Sequence, residues 1–258
     1  MSILLEAESD GVITLTLNRP QAMNALSSEL SSLFRAKIEE IAKRRDIRVV
    51  IITGAGDRAF CAGADLKERR ELDADQKWEQ RTRAWEVNEA IWRMPQPVIA
   101  AIQGFCMGGG FELALYCDLR IAAENAIFSF PEMTLGAYPG AGAAVVLPRL
   151  IGRGRAKELF FTARRIAADE ALALGIVEHV VANGTVLEKA NQIAAEIKRS
   201  SPLGVAGIKQ MVNFGSDLPF EQANALNDKL RRPLEATEDY LEGISAFFEK
   251  RPARFVGK

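Results

Sequence analysis

The sequence predicts an α/β fold with largely parallel strands, because strand and helix patterns alternate along its first half. Short apolar runs predict strands at Val49 to Thr53, Val98 to Ile102 and Leu119 to Ala123. A helix is predicted from about Gln76 to Arg93, between the first and second of these strands. Another is predicted to open at the glycine triplet Gly108 to Gly110, between the second and third. Helical crossovers of this kind join parallel neighbours in a sheet.

The amino-terminal segment is predicted to be a β-hairpin followed by a helix. Residues Ile3 to Asn18 alternate around Ser9-Asp10-Gly11, which is a turn signal between two strands. From Ser27 to Arg45 apolar residues recur at helical spacing, and a serine at position 27 or 28 caps the pattern.

The second half of the chain is predicted to be mainly helical. Its expected elements before residue 200 are short helices at Gly142 to Leu150, Arg155 to Phe161 and Asp169 to Leu174, a strand at Ile176 to Val181 and a helix at Val186 to Arg199. Only helices are expected after it, at Leu203 to Asn213, Phe220 to Leu230 and Glu235 to Phe248. We therefore divide the chain into a core, residues 1–200, and a carboxy-terminal helical region, residues 201–258.

Composition favours an ordinary globular protein with one sizeable core. The 258 residues are 48% hydrophobic, carry a net charge of −1 and have a pI near 6.1, so no nucleic-acid or membrane partner is expected on electrostatic grounds. The three cysteines are odd in number and lie in or beside apolar segments, which favours buried thiols in a reducing compartment. The amino terminus has no signal-peptide pattern, and cytoplasmic localisation is expected.

Two glycine-containing turns predict a site that stabilises negative charge on an oxygen atom. Glycines at 108 to 110 let the backbone approach a ligand and present N–H groups at a helix start. The turn Ala62-Gly63-Ala64 supplies a second donor for the same oxygen, so that a carbonyl group would be polarised from two loops. The alternative is that the triplet only permits a tight turn between strand and helix.

Two carboxylates accompany these turns. Glu112 follows the triplet and Glu132 follows Pro131, so each is also explained by the preference for acids at helix starts. Their neighbours are largely apolar, however, and desolvation would move their protonation into the range useful for acid/base chemistry. A metal site is not expected, because His179 is the only histidine and no acid cluster has metal-ligand spacing.

Three tryptophans, Trp78, Trp85 and Trp92, recur every seven residues and so share one helix face. Core packing is the favoured interpretation, and lining of an apolar substrate pocket is the alternative. His179 is interpreted as a structural residue of an apolar strand.

With these residues in place, the chain closely resembles the crotonase family, the enoyl-CoA hydratase and isomerase superfamily. The resemblance extends nearly from end to end. It rests on Leu17-Asn18-Arg19-Pro20 with Met23-Asn24-Ala25-Leu26, Ala59 to Lys67, Gly104 to Asp118, Pro131-Glu132 with Leu135-Gly136, Pro139 to Gly142, and Leu174 to Val177. One departure is that many hydratases continue Pro-Gly-Ala-Gly with Gly-Thr-Gln-Arg-Leu, where this chain has Ala143 to Leu147, Ala-Ala-Val-Val-Leu.

The resemblance implies a fold, an assembly and a set of site residues. The fold would be a spiral of repeated strand-strand-helix units followed by an all-helical trimerisation region, and the assembly a homotrimer or a dimer of trimers. The thioester oxygen would be held by the N–H groups of Ala64 and Gly109, with Glu112 and Glu132 as catalytic acids. Contacts to the substrate's CoA would come from Ala62, Asp65, Leu66 and Lys67, with Phe247 and Lys250 reaching CoA on a neighbouring subunit.

The implied activity is addition of water across the C2–C3 double bond of a trans-2-enoyl-CoA, which needs no cofactor beyond the CoA of the substrate. Alternatives are a methylglutaconyl-CoA hydratase, to which Phe60 to Arg69 and the carboxy terminus are similar, or an enoyl-CoA isomerase. A non-enzymatic alternative is a protein that binds CoA thioesters or RNA with vestigial catalysis. Retention of both acids argues against it, and the near-neutral charge gives RNA binding no electrostatic support.

Overall fold

Ten strands form two sheets in the computed structural model, which describes residues 2–258. The strands are β1 (Leu4–Ser9), β2 (Val12–Leu17), β3 (Val49–Gly54), β4 (Ala59–Cys61), β5 (Val98–Ile102), β6 (Phe105–Met107), β7 (Leu119–Ala123), β8 (Ile127–Ser129), β9 (Ile166–Ala167) and β10 (His179–Val181).

The α-helices of the described residues surround these sheets and continue beyond them. They are α1 (Ser28–Ile41), α2 (Leu66–Arg70), α3 (Ala74–Arg93), α4 (Gly109–Tyr116), α5 (Ala143–Ile151), α6 (Arg153–Thr162), α7 (Ala168–Ala173), α8 (Val186–Ile197), α9 (Pro202–Gly215), α10 (Phe220–Arg231) and α11 (Glu238–Glu249). Short 3-10 turns occupy Pro20–Ala22, Pro131–Leu135 and Arg232–Ala236.

The strands alternate between the two sheets, which makes the fold a spiral. The larger sheet has the order β1-β2-β3-β5-β7-β10 and the smaller one the order β4-β6-β8-β9. The pairs β3 and β4, β5 and β6, and β7 and β8 each place one strand in each sheet before the chain turns into helix or 3-10 turn. Only the outer pairs β1–β2 and β8–β9 are antiparallel. The predicted α/β class with repeated ββα units is confirmed.

The predicted hairpin is confirmed. Leu4 pairs with Leu17 and Ser9 with Val12, which leaves the two-residue loop Asp10-Gly11. Both loop residues have positive φ, 49° and 71°, as the turns favoured in two-residue hairpins require.

Two apolar layers hold the larger sheet. One face joins the main core, which lies between the two sheets and the helices and includes Phe34, Phe60 and Phe111, all essentially inaccessible to solvent. The opposite face is covered by α8, whose Val186 and Ala190 pack against strand residues of β3, β5 and β7. Parallel strands covered on both faces read as continuous apolar runs, which is why the sequence marks β3, β5 and β7 so clearly.

Two predicted elements have wrong boundaries, and some observed strands were not predicted. The strand predicted at Ile176 to Val181 begins only at His179, because the N–H groups of Ile176 and Val177 bond to the carbonyl of Ala171 and close the end of α7. The predicted helix from Glu235 is divided, since α11 begins after Thr237, whose hydroxyl caps it. The periodicity did not identify the short strands of the smaller sheet.

The three tryptophans do not share one environment. Trp85 and Trp92 pack edge-on against the ring of Tyr116, with centroids 5.9 Å and 5.5 Å away. Trp78 is 65% exposed, so its prediction as a core residue is wrong. It lies in the first turns of α3, beyond the part of the helix that packs on the core.

The carboxy-terminal helices are attached to the core by an ion pair between the buried Lys209 and the half-buried Asp118. Lys209 of α9 is 7% exposed, and its Nζ bonds to Asp118 Oδ2 at 2.7 Å and to the carbonyl oxygens of Gln96 and Ile91 at 2.9 Å and 3.1 Å. The same Asp118 oxygen accepts a bond from the N–H of Val98 at 2.7 Å. Lys209 thus joins α9 to β5 and the end of α3. The functional division at residue 200 stays a prediction.

None of the helices within residues 2–258 combines the length and apolarity that crossing a lipid bilayer requires.

Candidate active site

The glycine triplet opens a helix, as predicted. Gly108 is the N-cap of α4 with φ of 50°, and Gly109 is its first residue. Within the described chain the N–H of Gly109 donates to no protein acceptor, as expected for the first turn of a helix. Gly109 is half-buried, so this donor is available to a ligand.

The second predicted donor lies beside the first. A Cβ placed on Gly109 would lie 3.6 Å from the backbone nitrogen of Ala64, and a Cβ on Gly63 would lie 3.0 Å from the nitrogen of Gly109. Ala64 is exposed, and its N–H also has no acceptor among residues 2–258. The structure therefore brings together two free donors from two loops, the arrangement that an oxyanion-binding site requires.

The loop that carries Ala64 is fixed by backbone bonds to the segment after β2. The N–H of Ala62 donates to the carbonyl of Met23 at 3.0 Å, and the N–H of Leu26 donates to the carbonyl of Gly63 at 2.8 Å. Asp65 N–H returns a bond to the carbonyl of Leu26 at 3.0 Å. Donors on either side of Ala64 are thus used in this pairing and its own N–H is left free.

Asp65 ends this loop and begins α2. Its Oδ1 accepts from the N–H groups of Lys67 and Glu68, and its Oδ2 accepts from the guanidinium of Arg19 at 2.7 Å. Burial opposes ionisation of this carboxyl, but the bonds from Arg19 and the two N–H groups outweigh burial and lower its pKa. Arg19 also donates to the carbonyl of Ala25, so it joins both segments.

Glu112 is a buried carboxylate held by one of its oxygens. Its Oε1 accepts from the N–H groups of Ala141 and Ala143, at 2.8 Å and 3.0 Å, and its Oε2 accepts none from the described residues. Desolvation raises its pKa to about 7, and the nearby Glu132 adds to the rise, whereas the two N–H groups and the charge of Arg81 oppose it. The bonds that hold Glu112 come from backbone N–H groups. They therefore do not need the threonine, glutamine and arginine side chains that many hydratases have after Pro-Gly-Ala-Gly.

Glu132 lies on the 3-10 turn after β8, against Gly108. A Cβ on Gly108 would overlap its Oε1 and lie 3.0 Å from its Cδ. Its Oε2 is buried and has no hydrogen-bond partner among residues 2–258. Desolvation raises the pKa of this carboxyl, with partial opposition from its own backbone N–H. The two acids and the two donors therefore lie around one end of α4.

Helix α3 supports the loop that holds Glu112. Asn88 is buried, and its Nδ2 donates to the carbonyl of Ala141 at 2.8 Å. One turn earlier, Trp85 packs on Tyr116, which follows Glu112 by one turn of α4. The Tyr116 hydroxyl is desolvated, which raises its pKa to about 12, and the charge of Glu112 contributes. The sequence analysis missed Asn88, since a buried asparagine on an apolar helix face gives only a weak signal.

Asn24 is a second residue that sequence reasoning left without a role. It is fully buried with φ of 55°, and its Nδ2 donates to the carbonyls of Ala55 and Ala59 at 3.0 Å and 2.8 Å. Its Oδ1 accepts from the N–H of Arg19 at 3.0 Å. The sequence signal that could have identified Asn24 is its position shortly after the break at Asn18-Arg19-Pro20. The sequence analysis used these residues only as part of the family resemblance.

The predicted CoA contacts fall into two groups. Ala62, Asp65, Leu66 and Lys67 lie on the loop and first turn of α2 next to Ala64, where Leu66 and Lys67 are exposed. Phe247, which is 78% exposed, lines a groove formed by α9 to α11, and Lys250 caps α11. That groove contains none of the residues around Glu112, so a single chain does not bring the second group to the site.

Within the part of the chain that the structure describes, no group of three or more histidine, cysteine, aspartate or glutamate side chains could hold a metal ion.

Comparison with solved structures establishes the class of fold. The chain superposes on an enoyl-CoA hydratase from Bacillus anthracis with a TM-score of 0.98 and 41% identity, covering 100% of both chains. It also matches DspI from Pseudomonas aeruginosa, with a TM-score of 0.95 and 33% identity over 99% of this chain and 97% of the other.

Sequence comparison establishes the family. Residues 7–258 match the enoyl-CoA hydratase/isomerase family. A crotonyl-CoA hydratase from Syntrophomonas wolfei is 40% identical over 257 residues, 100% of this chain and 98% of the relative. A short-chain-enoyl-CoA hydratase from Clostridium acetobutylicum is 39% identical over 250 residues, 97% and 95% of the two chains. The chain is therefore an enzyme of the enoyl-CoA hydratase/isomerase family, with the crotonase fold.

Proposed function

We propose that the enzyme hydrates trans-2-enoyl-CoA thioesters to 3-hydroxyacyl-CoA. The observation that carries the proposal is that two carboxyl groups, the buried Glu112 and the half-buried Glu132 with its buried Oε2, flank the end of α4 at which two N–H groups are free. An isomerase needs to move one proton between carbon atoms, for which one acid/base group suffices. Hydration explains the second acid, because one carboxyl group must take a proton from the water while the other donates a proton to C2.

The thioester oxygen would accept from the N–H groups of Ala64 and Gly109. Because this oxygen gains negative charge as the enolate develops, the two donors bind the transition state more strongly than the substrate. Loss of one such donor in other enzymes costs about 100- to 1,000-fold in rate.

The water would be held between the carboxyl groups. Glu112 Oε1 is occupied by two N–H groups, so its Oε2 remains to take a proton from the water as the oxygen bonds to C3. Glu132, protonated, would donate to C2, so that one proton and one hydroxyl group are added. Its buried Oε2, which has no partner in the described chain, would be satisfied by the same water.

The predicted CoA contacts and assembly complete the proposal. Ala62, Asp65, Leu66 and Lys67 would bind the CoA portion, since they continue the loop that carries Ala64. A homotrimer, or a dimer of trimers, would cover the exposed aromatic side chains of the last helices, namely Phe220, Phe247 and Phe248, which are 84%, 78% and 77% exposed. It would also bring Phe247 and Lys250 to a neighbouring CoA. No cofactor other than the substrate's CoA takes part.

The test combines isotope labelling with two variants. The parent protein is incubated with trans-2-butenoyl-CoA in ¹⁸O-labelled water, and mass spectrometry should show one solvent oxygen in the product. Glu112→Gln and Glu132→Gln should each lower turnover by about 100- to 10,000-fold, because an amide keeps the shape but transfers no proton. A product isomerised without gain of oxygen would identify an isomerase instead. Loss of hydration in only one variant would contradict the proposed role of the other acid.

A further inference from the structure

Arg81 is an arginine beside the acids that the proposed reaction does not use. It shares a face of α3 with Trp85 and Asn88, the residues that pack against Tyr116 and Ala141. Its side chain crosses Gly140, where an added Cβ would lie 3.1 Å from Cγ and 3.4 Å from Nε. Gly140 immediately precedes Ala141, whose N–H holds Glu112.

No carboxylate of the described residues forms an ion pair with the guanidinium of Arg81, although its positive charge acts on Glu112. Among residues 2–258 it makes no hydrogen bond and no ion pair, although the side chain is half-buried. The side chain makes a cation–π contact with Trp78, in which the guanidinium carbon lies 4.9 Å from the ring centroid. On the same helix, Arg83 and Arg93 each pair with a glutamate four residues earlier. Position 77, four residues before Arg81, holds a lysine instead.

The position of Arg81 corresponds to the acyl end of the substrate, if the proposed function is correct. The carbonyl group would lie at Ala64 and Gly109, and C2 and C3 would lie between the two acids. Sulfur and C2 leave the carbonyl carbon in different directions, so the chain beyond C3 extends away from α2 and past Glu112. The loop that holds Glu112 is the one against which Arg81 lies.

We propose that Arg81 binds a carboxylate at the far end of the acyl chain, so that the preferred substrates are trans-2-enoyl-CoA thioesters with a second, free carboxylate. The Arg81 side chain contacts Gly140 and the Trp78 ring, and its planar guanidinium offers a set of donors that matches a carboxylate better than a methyl group.

A phosphate of CoA is the other anion that the substrate supplies. The phosphates would lie beyond the sulfur, on the side of Asp65 to Lys67. Gln80 faces that side and bonds to Arg69 and Glu68 of α2, whereas the side chain of Arg81 contacts Gly140, on the loop that holds Glu112. We therefore assign Arg81 to the acyl chain, and the experiment separates the two sources.

The experiment compares two substrates of equal length, trans-2-pentenoyl-CoA and the thioester in which its terminal methyl group is replaced by a carboxylate. The measured quantity is the ratio of kcat/KM for the carboxylated substrate to kcat/KM for the uncharged one. This ratio cancels any effect of Arg81 on the protonation of Glu112. It should exceed one in the parent and fall by about 10- to 100-fold in Arg81→Met, as expected for a hydrogen-bonded charge pair. Arg81→Lys should be intermediate, because it keeps the charge and loses the planar donors.

Arg83→Met is the matched control, since it removes a guanidinium from the same helix that is paired with Glu79. Its ratio should equal that of the parent. Circular dichroism confirms that each variant is folded.

The outcomes separate this inference from the proposed function. Turnover of the uncharged thioester with a ratio that Arg81→Met does not change would overturn the role of Arg81 and leave hydration standing. Hydration of neither thioester by the parent would overturn both. Equal weakening of both substrates in Arg81→Met, together with weaker binding of free CoA by calorimetry, would assign the arginine to a CoA phosphate and overturn the inference.

Discussion

The carboxyl group of Glu132 occupies the space into which a Cβ on Gly108 would project. An alanine at position 108 would also have to adopt φ near 50°, which L side chains rarely do. We expect Gly108→Ala to displace Glu132 and to lower kcat by about 100-fold or more, the contribution of a general acid. Steady-state kinetics with trans-2-butenoyl-CoA measures this change.

The control for this prediction is Gly152→Ala. Gly152 also has a positive φ, 81°, but a Cβ there would meet nothing within 4 Å. It carries the backbone strain without a contact to the acids. If both variants lost activity equally, strain rather than contact with Glu132 would be the cause.

The pH dependence of kcat/KM is set by the acids of the free enzyme. Burial raises the pKa of Glu112 to about 7, so its ionised form, which activates water, forms only as the pH rises through that value. We expect kcat/KM to increase as the pH rises through about 7, and loss of the proton from Glu132, whose pKa is also raised by desolvation, to lower it. A profile that is flat down to about pH 5 would contradict this assignment of Glu112.

The stability of the protein should also depend on the ionisation of Glu112, but it should fall with rising pH where activity increases. A carboxyl whose pKa is raised on folding binds its proton more tightly in the folded state, so the free energy of unfolding falls as pH rises from 4.5 to about 7. The loss approaches about 3 kcal/mol at 1.4 kcal/mol per pKa unit. Glu112→Gln removes it, so denaturant titration should show this variant gaining stability relative to the parent between about pH 5 and about pH 8. A difference that does not change with pH would show that Glu112 titrates normally.

Asn88→Ala tests the support of Glu112 from α3. Loss of the bond to the carbonyl of Ala141 should let the loop move and lower kcat by about 10-fold, with about 1 kcal/mol of lost stability. Asn213→Ala is the control, because Asn213 also bonds to a main-chain carbonyl, that of Trp92 at 3.0 Å, away from the acids. The Asn213→Ala variant should lose about as much stability as Asn88→Ala while its kcat stays at the parent value. Equal kcat in the two variants would rule out a positioning role for Asn88.

The sequence predicted those parts of the fold that are determined by residues close together in the chain. Strands β3, β5 and β7 are continuous apolar runs, and the hairpin loop needs positive φ at Asp10 and Gly11. The second sheet was not visible to periodicity, because strands of two or three residues such as β8 and β9 are too short to show a period. They are fixed by pairing between turns of the spiral, a non-local property.

The candidate site divides in the same way. Ala64, Gly109, Glu112 and Glu132 were predicted from glycine turns and from family motifs, and the structure places them around one end of α4. Arg81 and Asn88 were not predicted, because their importance comes from contacts with residues 140 and 141, more than 50 positions away. Sequence spacing within α3 does not indicate such contacts.

The bond between Lys209 and Asp118 has a consequence for dividing the protein. If the chain were cut after residue 200, Asp118 would keep its place beside β5 but lose its cation, and the carbonyls of Ile91 and Gln96 would lose their donor. Removal of one partner of a fully buried pair commonly costs about 3 to 5 kcal/mol, and the cost here is smaller because the Asp118 side chain is 22% exposed. The ends of α3 and β5 would bear that cost, and α3 is the helix that carries Arg81 and Asn88. A shortened protein would therefore be expected to lose the geometry of Glu112 before it lost its overall fold.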